Sequence, residues 1–137
     1  MNLLKIPDIN KFIELFQKDF YLDDEVIKEE IPRKGLFNLI HKAYIIKIDF
    51  IVKKESNFKN TEFSRRRKIT IQNKPMWIVT PEDLILAKLD WARDSYSEMQ
   101  LKDVQNLINT VNDLDWEYIN HWINILGLYT IFKDLKR

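Results

Sequence analysis

Cysteine is absent from this 137-residue chain, and glycine occurs only twice, at Gly35 and Gly127. Without cysteine there is no disulfide framework and no thiolate metal site. The two histidines, His41 and His121, are far apart and lack the close spacing of paired metal ligands. Neither sign of charge dominates, with 22 basic residues against 21 acidic and a net charge of +1. The overall balance therefore makes no case for nucleic-acid or membrane binding. No apolar run approaches the ~18 residues of a membrane span. The opening Met1-Asn-Leu-Leu-Lys5 lacks the long apolar stretch of a signal peptide. The expectation is a cytoplasmic protein with no membrane partner.

Apolar residues make up 45% of the chain and charged residues 31%, enough to build a core. One domain over 1–137 is expected, with helices and a sheet in 1–79 and a helical part in 80–137. Residues 1–7 suggest a strand end or entry loop closing at Pro7. Asp8 is placed to cap a helix whose face carries Ile9, Phe12, Ile13 and Phe16, extended by Leu15 and Phe20. Asp23 is placed to cap a second helix through Glu30, broken by Pro32-Arg-Lys-Gly35. Leu36–His41 and Tyr44–Val52 read as an antiparallel pair joined around Lys42-Ala43, with Asp49 pointing away from an apolar face. Ser56–Ser64 suggests a loop and short helix pinned by Phe58 and Phe63. Ile69–Ile71 and Met76–Val79 form a second hairpin about Asn73-Lys74.

The most informative stretch begins where that hairpin ends. Thr80 reads as an N-cap, Pro81 suits the first helical position, and Asp83 stands in for the Glu or Gln of a capping box. Leu84, Ala87 and Trp91 then recur at helical spacing, widened by Ile85, Leu89 and Ala92, and Lys88 sits within that apolar ground. Ser97 with Gln100 predicts a further capping box, ahead of a face from Met99 through Val111. Asp115 caps a helix that Gly127 stops, and Leu128–Lys136 forms the last one. The pattern is α+β, a small mixed sheet with a C-terminal helical bundle.

Several segments, taken in order, resemble the minimal nucleotidyltransferase-like superfamily, and within it the abortive-infection toxin type. They are Lys47-Ile-Asp-Phe-Ile51, Phe63-Ser-Arg-Arg-Arg67, Thr80-Pro-Glu-Asp-Leu-Ile-Leu-Ala-Lys88 and Lys102-Asp103. The resemblance implies a fold that binds Mg²⁺ and a nucleoside triphosphate through strand carboxylates, with in-line displacement as its chemistry. It implies Asp49 as the catalytic and metal-binding carboxylate, and Lys88 as a contact to the nucleotide. Arg66 and Arg67 are the accompanying candidates for the triphosphate. The family's Gly-Ser turn and Asp-x-Asp pair have no counterpart here. The chain thus resembles a transferase that is truncated or degenerate at its N-terminus and inactive alone.

Each candidate also has a plainer reading. Asp49 can be a solvent-facing residue paired with Lys47. Lys88 can lay its stem over Leu84 and Trp91 and pair with Asp49 or Glu82. Arg65-Arg-Arg-Lys68 can grip RNA or a triphosphate, with Phe63 adding a stacking surface, or can be a solvated strand edge. Trp77, Trp91, Trp116 and Trp122 read as core. Three roles remain open. The chain is half of a split enzyme completed by a partner chain at the Met1–Leu4 edge, a non-catalytic regulatory module of toxin–antitoxin type or homodimer, or a remnant without ligand.

Overall fold

The computed structural model describes residues 6–135. The first helix, α1 (Ile6–Phe16), begins before Asp8, with Pro7 in the first turn, where its missing N–H costs no hydrogen bond. Its face is the expected one. Ile9 and Ile13 are buried with Phe12 and Phe16 packed beside them, while Leu15 is exposed and Phe20 belongs to the next element, β1 (Phe20–Tyr21). Asp23 caps α2 (Asp24–Arg33) by accepting the amides of Glu25 and Val26. This helix runs three residues past Glu30 and carries Pro32 in its last turn. Lys34 then takes the left-handed conformation (φ 54°), and the Lys34 and Gly35 amides return to Ile31 and Glu30, which closes the helix.

The strands β2 (Leu36–His41) and β3 (Lys47–Ile51) pair antiparallel, with β1 on the other side of β2. The second strand starts three residues later than the sequence suggested. The His41 ring nitrogen Nδ1 accepts the amides of Ala43 and Tyr44, and Ile45 sits at positive φ, so 42–46 is a turn. Period-two alternation puts Phe37, Leu39 and Phe50 on the face covered by α1 and α2. There Phe37 and Phe50 stack face to face at 5.3 Å, and Phe12 meets both rings edge-on. Lys42 reaches back to the carbonyls of Gln17 and Lys18 just beyond α1, where a cation suits the helix end.

Contacts divide the chain into two units, Met1–Glu55 and Ser56–Arg137, so the second hairpin belongs with the C-terminal helices. In the second unit Ser56 caps α3 (Asn57–Arg65). The strands β4 (Arg67–Ile71) and β5 (Lys74–Ile78) follow. Their loop is Gln72-Asn73, one step earlier than expected, with both residues at positive φ as a two-residue hairpin requires. Pro75 faces Thr70, next to the closing Ile71–Lys74 pair, a position whose N–H would point away from β4. The strands thus form two separate antiparallel sheets, not one mixed sheet, and the class is α+β.

Four helices complete the unit: α4 (Pro81–Ser95), α5 (Glu98–Thr110), α6 (Trp116–Leu126) and α7 (Tyr129–Leu135). Their caps, Thr80, Ser97, Asp115 and Gly127, are the residues read from sequence. The buried stripe of α4 is centred on Ile85, Leu86, Leu89 and Ala92, a small rotation from the Leu84–Ala87–Trp91 line. The rotation follows from the neighbours, since α5, α6 and α7 all pack on this helix and pull its widest apolar arc inward. Trp122 joins the core beside Phe58, whereas Trp77, Trp91 and Trp116 stay partly exposed, against the expectation that all four tryptophans are core. Met99 is exposed as well. Among the described residues no helix is long and apolar enough to cross a membrane.

Candidate functional site

The polar side chains of the Thr80-Pro-Glu-Asp block converge beneath the start of α4. Thr80 and Asp83 are fully buried and bonded twice: the Asp83 amide donates to the Thr80 hydroxyl, which donates in turn to Asp83 Oδ2 at 2.8 Å. Two further donors reach Asp83 from distant elements. Arg65 Nε, at the end of α3, lies 3.1 Å from Oδ2, and the Tyr118 hydroxyl of α6 donates to Oδ1. The Arg65 guanidinium also lies over the Tyr118 ring at 3.8 Å. A carboxylate removed from water is costly unless donors replace its hydration, and these donors do so. Burial, then the hydrogen bond and charge of Asp83, push the Tyr118 phenol well above its ordinary range.

Glu82 takes a different route. Its Oε1 accepts the amide of Asp115, the N-cap of α6, so a residue of one helix supplies the reciprocal half of another helix's capping box. Its Oε2 is buried and makes no hydrogen bond with any described residue. Further along α4, Lys88 donates to Asp103 Oδ2 at 2.8 Å and to Gln100 Oε1 at 3.0 Å. These partners replace the Asp49 or Glu82 expected from sequence. Gln100 therefore serves Lys88, and the Ser97 cap is one-sided, with only the Gln100 amide meeting the Ser97 hydroxyl. Tyr118, Glu82 and Asp83 knit α3, α4 and α6 together, and Lys88 ties α4 to α5.

Asp49 stands on β3 opposite Asn38, on the face away from the core, half-exposed and 3.4 Å from Lys47. Among the described residues no three His, Asp or Glu side chains gather as a metal site needs. One exposed carboxylate already neighboured by an ammonium does not fit a Mg²⁺ ion, which is held by carboxylates together with substrate phosphates. The Met1–Leu4 edge lies outside the described residues.

The basic run divides by role. Arg65 is taken by Asp83, as described. Arg66 ends α3 and donates to the Phe63 carbonyl, one of the helix's last unsatisfied acceptors. Its guanidinium also lies 3.8 Å from the centre of the Phe63 ring and 4.6 Å from that of Trp77. Lys68 Nζ stands 6.0 Å from the Trp77 ring. Arg67 is exposed on β4 opposite Ile78. Phe63 is 51% exposed and Trp77 58%, and both line an open groove of about 410 Å³ with Glu62, Arg66, Ile78 and Val79. The structure therefore brings Arg66 together with Phe63 and Trp77, and it assigns Lys88 a neighbour within its own helical layer.

Sequence reasoning missed the Arg65–Asp83–Tyr118 centre. The one available signal was Asp83 itself, since Glu82 and Asp83 are more acid than a single cap requires at the start of an apolar helix. Comparison with models of protein families, with curated proteins and with solved structures returned no match.

Proposed function

We propose that this chain is a nucleotidyltransferase-like binding module that does not transfer nucleotides unaided. The observation that carries the reading is the engagement of Lys88. The residue that the resemblance assigns to a nucleotide is closed onto Asp103 and Gln100. Asp83, Glu82 and Thr80 of the same block hold helices together, and Asp49 offers a single carboxylate beside Lys47. A regulatory component of toxin–antitoxin type is the role that matches such a module.

A second reading has one observation in its favour. Among the described residues β3 pairs with β2 alone, so its other edge is open, and Ile51 beside it is exposed. A partner chain carrying the Gly-Ser turn and the Asp-x-Asp pair would add there and set its carboxylates beside Asp49. The test is thermal unfolding of the chain with Mg²⁺ and each nucleoside triphosphate, alongside Asp49→Asn and Lys88→Ala. A ligand at 100 times its Kd stabilises a fold by ~2.7 kcal/mol, a rise of several degrees. No rise is the expected outcome for the module. A Mg²⁺-dependent rise abolished in Asp49→Asn refutes it.

A further inference from the structure

We infer that the surface formed by the end of α3 and the β4–β5 hairpin binds single-stranded nucleic acid, with a base stacked on the Phe63–Trp77 platform and phosphates on Arg66 and Lys68. The inference deepens the binding-module reading by naming the ligand class. Large aromatic rings on a two-stranded ribbon bury little against the protein that carries them. Trp77 is more than half exposed although most of the chain's other bulky residues on β2 and α4 find cores. Its neighbours are cations. Arg66 is fixed by the Phe63 carbonyl and lies over both rings, and Lys68 faces Trp77 directly across the strand pair.

Charge favours an anionic polymer. Residues 63–79 contain Arg65, Arg66, Arg67, Lys68 and Lys74 and no acidic residue, in a chain whose total is nearly balanced. Only Arg65 is drawn inward, by Asp83. The one carboxylate lining the groove, Glu62, is neutralised by Lys59 at 3.2 Å. By the alternation of the pleat Lys68 shares the face of Trp77, whereas Arg67 and Lys74 project on the opposite face of the ribbon. A duplex hides its bases in the stack, whereas a single strand offers each base a free π-face, and aromatic platforms beside basic grooves bind such strands with little sequence preference.

The experiment is fluorescence anisotropy of a labelled 12-nucleotide single strand, as RNA and as DNA, and of the corresponding RNA duplex, between 50 and 200 mM salt. The variants are Trp77→Ala, Trp77→Phe, Arg66→Glu and, as a charge control on α2, Lys28→Glu. The expected result is binding of one or both single strands in preference to the duplex, at least tenfold weaker in Trp77→Ala and Arg66→Glu. Trp77→Phe retains most of the affinity, and Lys28→Glu changes it less than about twofold. The RNA and DNA arms state which sugar is accepted. Removing one phosphate contact lowers the salt slope by ~0.7 for a single strand. No binding of either strand at 50 mM salt overturns the inference, as do equal duplex affinity and affinity indifferent to Trp77→Ala. Self-association that depends on Trp77 without oligonucleotide binding overturns it too, and assigns the surface to a second copy. Failure here leaves the module reading standing, whereas a Mg²⁺–nucleotide response abolished in Asp49→Asn refutes that reading and leaves the oligonucleotide result intact.

Discussion

Replacing Asp83 with asparagine is the sharpest test of what the Thr80-Pro-Glu-Asp block does. The native carboxylate is fully buried and accepts from Thr80, Arg65 and Tyr118. Hydrogen bonds to a charged group contribute about 1.5–3 kcal/mol each, and breaking a buried ion pair from one side costs about 3–5 kcal/mol. Several effects reduce the net loss. The amide keeps one acceptor oxygen, the variant no longer desolvates a charge, and the Arg65 side chain, 34% exposed, regains water. The expected loss is ~2–4 kcal/mol, which for a chain of this size lowers Tm by on the order of 10 °C. Every tryptophan lies in 56–137, so urea unfolding followed by tryptophan fluorescence reports the unit that holds the network. The exposed Asp49–Lys47 pair provides the contrast, and Asp49→Asn is expected to cost less than ~1 kcal/mol. A cycle of Asp83→Asn with Tyr118→Phe is expected to show coupling above ~1 kcal/mol. An Asp83→Asn loss below ~0.5 kcal/mol, or strict additivity with Tyr118→Phe, refutes the assignment of this centre as the tie between α3, α4 and α6.

Tyr118 also carries a pH dependence. Its folded-state pKa lies above the unfolded value of about 10, so the native state keeps a proton that the unfolded chain releases. The stability this lends is complete below pH ~10 and is lost as pH rises further; urea midpoints of Tyr118→Phe are expected to fall less steeply than those of the parent above pH 10. Glu82→Gln keeps an acceptor for the Asp115 amide and removes a buried charge, so a change within ~1 kcal/mol is expected by the same unfolding assay. Lys88→Met is expected to cost ~1 kcal/mol and to be nearly silent once Asp103→Asn is present, because the pair is only part-buried. Gly127→Ala meets no atom within 4 Å, so its cost is that of the left-handed backbone alone (φ 67°), about 1 kcal/mol in a thermal melt.

Local signals are legible in the amino-acid sequence alone. Asp23, Thr80, Ser97, Asp115 and Gly127 mark helix ends because a cap acts on amides or carbonyls within a few residues of itself. The alternation that turns Asp49 away from Phe50 is equally local, a consequence of the pleat. What the chain order conceals is the partner each polar group takes across space. Arg65 reads as one of four consecutive cations, yet Asp83 draws it inward from 18 residues away, while its neighbour Arg66 lies over exposed rings. Tyr118 reads as one more aromatic on an amphipathic helix, yet it closes on the same carboxylate across 35 residues. Lys88 meets Asp103 because α5 packs against α4, a contact that no spacing within α4 encodes. The caps, the alternation and the α+β class follow from the sequence itself, since each rests on short-range sterics and hydrogen bonding. Only tertiary packing decided which charges are held inside as ties between helices and which remain on the surface, because desolvation and ion pairing depend on the neighbours that the fold supplies.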